Sequence, residues 1–279
     1  MRYLTKKDIR LPKRSPYSHK GENGRVLVIG GSIDYVGAVL LAGMAAFRTG
    51  VDRVVIAAPE KVAWAVNTLS MDFITKKFSG NYLREEHAKE LIRMSEDFDV
   101  ILIGNGMGKE ESTFRLARKL AKIKKPKVID AEALRAVRLQ DIDNAIFTPH
   151  AKELEILLKN SGMESIIKIK DLEQKSKALQ KIAANNVIVL KGRTDSVISK
   201  ERIAYNKTGN AGMTVGGTGD VLAGMAAGFL AQGCTPFQSA CNAAYINGYI
   251  GDILHREKGY GFIASEMLDR IPIAMASLA

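Results

Sequence analysis

A chain of 279 residues, 46% of them hydrophobic, is large enough for a substantial core and too apolar for disorder. Its formal charge of +11 points to an anionic partner: a nucleotide, a nucleic acid or an acidic lipid. Strand and helix patterns alternate without a linker, so one domain spanning 1–279 is expected. Cys234 and Cys241 form no CxxC pair and stand in apolar surroundings, which predicts two buried free thiols in a reducing cytoplasm.

Residues 1–24 are basic and turn-rich, without the apolar stretch of a signal peptide. Arg25 to Gly30 is a short apolar run ending in glycine, which predicts a buried strand. A loop over 31–37 leads to a helix of small residues from Ala38 to Arg48, closed by Gly50. Its Ala and Gly positions suit close helix packing or close approach of a ligand. Arg53 to Ala58 reads as a second strand, with Pro59 opening a helix. Val66 to Gly80 carries only a weak pattern, and Leu83 to Met94 reads as an amphipathic helix. Asp99 to Ile103 is a third strand, followed by Gly104-Asn-Gly-Met-Gly108, which serves equally as a tight βα turn or as a phosphate or ribose seat. It does not fit a dinucleotide fingerprint, being outside the first βα unit. The basic run Lys122 to Lys127 lacks interleaved aromatics, so it reads as a solvated helix end rather than a nucleic-acid surface.

Strands are expected at Lys127–Asp130 and Ala145–Phe147, the second leading through Thr148-Pro-His150 into a helix from Ala151 to Lys159. Strand carboxyl ends face the ligand crevice in open α/β sheets, so Asp130, His150 and the 104–108 glycines are expected on one rim. A helix over 171–185, a strand over 186–190 and a hairpin turning at Lys200-Glu201 follow. Val221 to Gly251 has no charged residue, but Gly233 to Pro236 interrupts it, so two buried helices are expected rather than a membrane span.

Between the hairpin and those helices lies Asn210-Ala-Gly-Met-Thr-Val-Gly-Gly-Thr-Gly-Asp220. Glycine lets backbone N–H groups face a ligand, and Thr218 is a candidate N-cap for a helix running from Val221. Free N–H groups and a positive helix end suit phosphate. Asp220 would repel that anion unless it takes a proton from a nucleophile attacking it. An anion hole beside a base is what phosphoryl transfer to a hydroxyl requires.

Several stretches together resemble the stand-alone NAD(P)H-hydrate dehydratases of the ribokinase-like superfamily. They are Lys20-Gly-x-x-Gly24 with the following strand, Tyr35-x-Gly-Ala38, Gly106-x-Gly108, Asp130-Ala-x-Ala-Leu134, Thr148-Pro-His150-x-x-Glu153, Leu190-Lys-Gly192 and Gly209 through Gly224. The resemblance implies a three-layer α/β sandwich with a mainly parallel central sheet. It implies repair of the S epimer of hydrated NADH or NADPH: ADP, or ATP, phosphorylates the ring hydroxyl, phosphate leaves, and AMP is the nucleotide product when ADP is used. Asp220 would be the base, with the backbone at Gly217, Thr218 and Gly219 stabilising the transferring group. Lys191, Gly192, Arg193, Thr194, Asp195 and Gly219 would hold the nucleotide. Ala38, Gly106, His150 and Asp220 would contact substrate, and Glu153 would organise magnesium-bound water. A homotetramer in the cytoplasm, with neither nucleic acid nor membrane as partner, completes the implication, and too few residues precede Arg25 for the epimerase domain that some relatives carry.

Taken singly, Lys191 also reads as a strand-end surface charge, His150 as a helix-start residue and Glu153 as a complement to the helix dipole. The sequence departs from the family pattern at Asn105, where proline is usual, at Glu132, at Thr214-Val215, and at Asn247, where histidine is common. Two rival readings are a thiazole- or pyridoxine-type alcohol kinase of the same superfamily and a non-catalytic nucleotide or nucleic-acid binder.

Overall fold

A computed structural model describes residues 1–278. Among them, nine strands form one sheet: β1 (Arg25–Ile29), β2 (Arg53–Pro59), β3 (Ile74–Phe78), β4 (Val100–Ile103), β5 (Lys127–Ile129), β6 (Ala145–Phe147), β7 (Val187–Leu190), β8 (Asp195–Ile198) and β9 (Ile203–Asn206). Their order is β3-β2-β1-β4-β5-β6-β7-β8-β9. The seven from β3 to β7 are parallel, and β8 and β9 add an antiparallel edge. The helices are α1 (Val36–Arg48), α2 (Glu60–Leu69), α3 (Ala88–Ser95), α4 (Glu111–Ala121), α5 (Ala151–Asn160), α6 (Leu172–Ile182), α7 (Thr218–Ala231), α8 (Pro236–Lys258), α9 (Ala264–Leu268) and α10 (Arg270–Leu278).

Strand periodicity divides the core. Val26 and Val28 face a cluster with residues of α1, α2, α7 and α8, whereas Leu27 and Ile29 face one with residues of α3, α4, α5 and α6. Buried on both sides, the central strands are apolar throughout, and the result is the expected three-layer sandwich. The small residues of α1 serve its packing on α7. A Cβ on Gly224 would stand 2.1 Å from the Ala42 carbonyl oxygen, so only glycine permits that approach. The 221–251 region forms α7 and most of α8, and among the described residues no helix is long and apolar enough to cross a membrane.

Some expectations are corrected. The weak 66–80 pattern resolves into the end of α2 and the edge strand β3, whose exposed and half-buried positions carry little periodic signal. The 83–94 segment is a 3-10 turn, Glu85–His87, before the shorter α3. The helix expected over 171–185 ends at Ile182. Cys241 is buried, but Cys234 is only half-buried, because it lies in the turn between α7 and α8.

Strand order reverses between β1 and β4, the position at which open α/β sheets open a crevice. The segments leaving β1, β4, β5, β6 and β7 at their carboxyl ends carry Gly30, Asn105, Asp130, His150 and Lys191.

Candidate active site

The 209–217 loop is pinned to α8. The Gly209 N–H and the Asn210 side-chain amide donate to Asp252 at 2.9 and 3.0 Å, and Asn210 Oδ1 accepts from the Gly212 N–H. Gly217 then turns the chain with φ of 97°, a conformation that disfavours other residues, and caps α7. The expected cap at Thr218 is thereby corrected. Thr218 is the first helical residue, and its hydroxyl swings back to donate to the Met213 carbonyl at 2.8 Å. A left-handed glycine at the cap lets the helix start three residues before Val221. Asn247 on α8 steadies this turn by donating to the Thr218 carbonyl at 3.3 Å, and Thr214 donates within its own loop to Ala211. Among the described residues, no acceptor meets the N–H groups of Gly217, Thr218 or Gly219, which stand at the positive end of a 14-residue helix.

Asp220 lies in the first turn of α7, half-buried. Asn105 Nδ2 donates to its Oδ1 at 2.7 Å and to Asp130 Oδ2 at 3.0 Å. Asp130 Oδ1 accepts from the Thr148 hydroxyl at 2.7 Å and from Lys191 Nζ at 3.2 Å. Glu153 lies 3.8 Å from the same ammonium. A Cβ on Gly219 would come within 3.2 Å of Lys191 Nζ, so the lysine stands directly beside the helix N-terminus. The rim expected to join Asp130, His150 and the 104–108 turn is observed: Lys191 links to Asp130 through its side chain and to the 149–150 segment through its backbone.

The charges do not balance. Desolvation pushes the Asp220 carboxyl up to about 7, Asp130 adds to the rise, and Asn105 and Lys191 oppose it. Burial also raises Glu132. Burial works against the Lys191 charge, yet Asp130 and Glu153 hold it above the usual lysine range. A carboxylate poised near neutrality beside unpaired N–H groups can accept a proton while an anion is held alongside.

Other candidate residues sort by what they touch. Lys191, Gly192, Arg193 and Thr194 line a cavity of about 340 Å³ together with residues of α5. Asp195 is outside that lining; its carboxylate accepts from the Gly192 N–H and the Asn206 amide, each at 3.0 Å, and so shapes the loop. Ala38 and Gly106 abut: a Cβ on Gly106 would lie 2.9 Å from the Ala38 methyl. His150 and Glu153 form a capping box on α5. His150 Nδ1 accepts from the N–H groups of Lys152 and Glu153, and Glu153 Oε2 accepts from the His150 N–H at 2.8 Å. The sequence reading missed Asn105 as a site residue. Its only signal was the departure from proline.

A family model described as NAD(P)H-hydrate dehydratase matches residues 26–273. The chain is 42% identical over 276 residues to the bifunctional NAD(P)H-hydrate repair enzyme of Methanothermobacter thermautotrophicus, covering 96% of this chain and 52% of that one. The chain thus spans about half the length of that relative. It is 35% identical over 283 residues to the ADP-dependent (S)-NAD(P)H-hydrate dehydratase of Cenarchaeum symbiosum, covering 98% of this chain and 96% of that one. Among solved structures, the ADP/ATP-dependent NAD(P)H-hydrate dehydratase of Bacillus subtilis, co-crystallised with ATP and magnesium, superposes with a TM-score of 0.84 at 26% identity, covering 100% and 99% of the two chains.

Proposed function

The chain belongs to the NAD(P)H-hydrate dehydratase family, and from that premise we propose that it dehydrates the S epimer of hydrated NADH and NADPH at the expense of ADP. The observation that carries this reading is the half-buried Asp220, raised toward neutrality beside open N–H groups of the α7 N-terminus. In the proposed sequence, Asp220 takes the proton of the ring hydroxyl as its oxygen attacks the terminal phosphorus of ADP. The bridging oxygen leaves with AMP. The N–H groups of Gly217, Thr218 and Gly219 hold the equatorial oxygens of the transferring group; losing one such donor typically costs about 10²–10³ in rate. Hydroxide is a poor leaving group and phosphate a good one, so the ring nitrogen lone pair then expels phosphate. Loss of a neighbouring ring proton restores the double bond.

The nucleotide would lie along Lys191–Asp195, with Asp195 acting through the shape of the loop rather than by direct contact. Ala38, Gly106 and His150 would line the substrate side. No group of three or more metal-capable side chains occurs among the described residues. Magnesium would be held mainly by the phosphates of the nucleotide, with few protein carboxylates and several waters, as is usual for that ion. Glu153 would reach that ion through water and hold it near the phosphates, where it would neutralise developing charge. The exposed Trp64, Leu69, Met71 and Ile74, on α2, the next turn and edge strand β3, would suit a subunit contact in a homo-oligomer, a tetramer in this reading. A cytoplasmic location goes with free dinucleotides as substrates.

The test is a substrate panel. Purified protein with ADP or ATP is given hydrated NADPH, hydroxyethylthiazole or pyridoxine. Return of the dihydronicotinamide absorbance with ADP supports the reading, and accumulation of a phosphorylated vitamin alcohol supports the kinase alternative.

A further inference from the structure

Asn105 is fully buried in the turn after β4, and its side chain lies between two carboxylates from distant parts of the chain. One face of its amide decides the arrangement. Both Nδ2 hydrogens are used, one on Asp130 and one on Asp220, and the opposite flip would press Oδ1 against both anions. Oδ1 has no partner and no exposure, a destabilising feature that the site retains. Asp130 is anchored independently by Thr148 and Lys191. Among the described residues, no donor other than Asn105 reaches the Asp220 carboxylate, so its Oδ2 is left for a ligand.

We propose that Asn105 is a positioning residue: its carboxamide separates Asp220 from Asp130, fixes the orientation of Asp220 and leaves Oδ2 to take the proton of the substrate hydroxyl. The proposal rests on Asp220 being the base. Without the amide, two carboxylates would face each other across a partly desolvated gap, and such pairs hold a proton between them. The charged groups facing Asp220 are Asp130 and Glu132 from the segment after β5 and Lys191 from the end of β7; Glu153 and Lys109 lie behind them, against Lys191 and Glu132. Lys191 is already engaged by Asp130 and Glu153, so Asn105 is the neutral donor that offsets Asp130.

Asn105→Leu keeps the branching and heavy-atom count of the side chain and removes the donor. The measurement is kcat and KM for hydrated NADPH and ADP from pH 6 to 9, with ADP affinity by calorimetry. The expected result is an acidic midpoint raised by about one pH unit, hence about tenfold lower kcat at pH 6 and little loss at pH 9, with ADP affinity unchanged. Asn105→Asp introduces a third carboxylate and is expected to move the midpoint further. If Asn105→Leu does not fold, Asn105→Ser, whose hydroxyl can serve only one carboxylate, decides in its place, with a smaller move in the same direction. An unmoved acidic limb, or an equal loss at every pH, overturns the proposal. Asp220→Asn separates the two ideas. If it is inactive while the Asn105 variants match the parent, only this inference fails; if it stays active, the base assignment fails and the inference with it.

Discussion

Replacing Asp220 by Asn should stabilise the protein while removing its turnover. The side chain keeps its shape, and its Oδ1 can still accept from Asn105, so the change is one of charge. The Asp220 carboxyl rises from the ordinary 3.8 to about 7, chiefly through desolvation, with Asp130 second. At ~1.4 kcal/mol for each tenfold, this corresponds to a penalty on the order of 4 kcal/mol for holding the charged form in the folded state. The sign follows from linkage. The folded pKa lies above the unfolded one, so between pH 3.8 and about 7 the folded chain binds more protons. Stability from this group is therefore present below pH 3.8 and lost as pH rises through 7. Asn carries no such loss. Urea unfolding of both proteins at pH 5 and pH 8 should show an advantage for the variant that is larger at pH 8. An advantage that is absent, or the same at both pH values, would refute the argument that Asp220 is held in a desolvated, electrostatically unfavourable place.

Lys191→Met retains the apolar stem but removes the ammonium beside Gly219. It should lower kcat/KM by about 10²-fold, raise KM for ADP, and shift the acidic limb upward, since Lys191 opposes the rise at Asp220; steady-state kinetics across pH checks all three. Gly224→Ala drives a methyl into the Ala42 carbonyl and should cost about 2 kcal/mol, read from the urea midpoint. Lys127 is 1% exposed, donates to the Asp143 carbonyl at 2.7 Å, and is pushed down by burial to about 8. The unfolded chain binds that proton up to 10.5, so wild-type stability should rise between pH 8 and 10.5, and Lys127→Met should flatten the rise.

The parts of the fold that were readable share one physical origin. Central strands such as Val100–Ile103 are buried on both faces and read as continuous apolar runs, and the Gly216-Gly-Thr-Gly-Asp220 element shows in its composition both the glycines of a turn with open N–H groups and the carboxylate beside it. Edge strand β3 was hidden because exposure leaves Lys76 and Lys77 free to sit in it. Local composition also misassigned the α7 cap. Thr218 has good cap chemistry, but a left-handed Gly217 made it unnecessary. His150 and Glu153 show that two candidate site residues can hold each other in a capping box, a pairing that their spacing contains but family likeness obscured. Asn105 was legible only as an exception. Its role depends on residues 25 and 115 positions away, and nothing local in the sequence brings Asp130 and Asp220 to either side of one amide.

In the proposed reaction this crevice transfers a phosphoryl group to the hydroxyl that it then eliminates. The direct measurement is stoichiometry: hydrated NADPH and ADP are incubated with the protein, and AMP, phosphate and restored NADPH are quantified together. All three should form in equal amounts, and Asp220→Asn should make none while still binding ADP. NADPH appearing without AMP, or AMP appearing without NADPH, would contradict it.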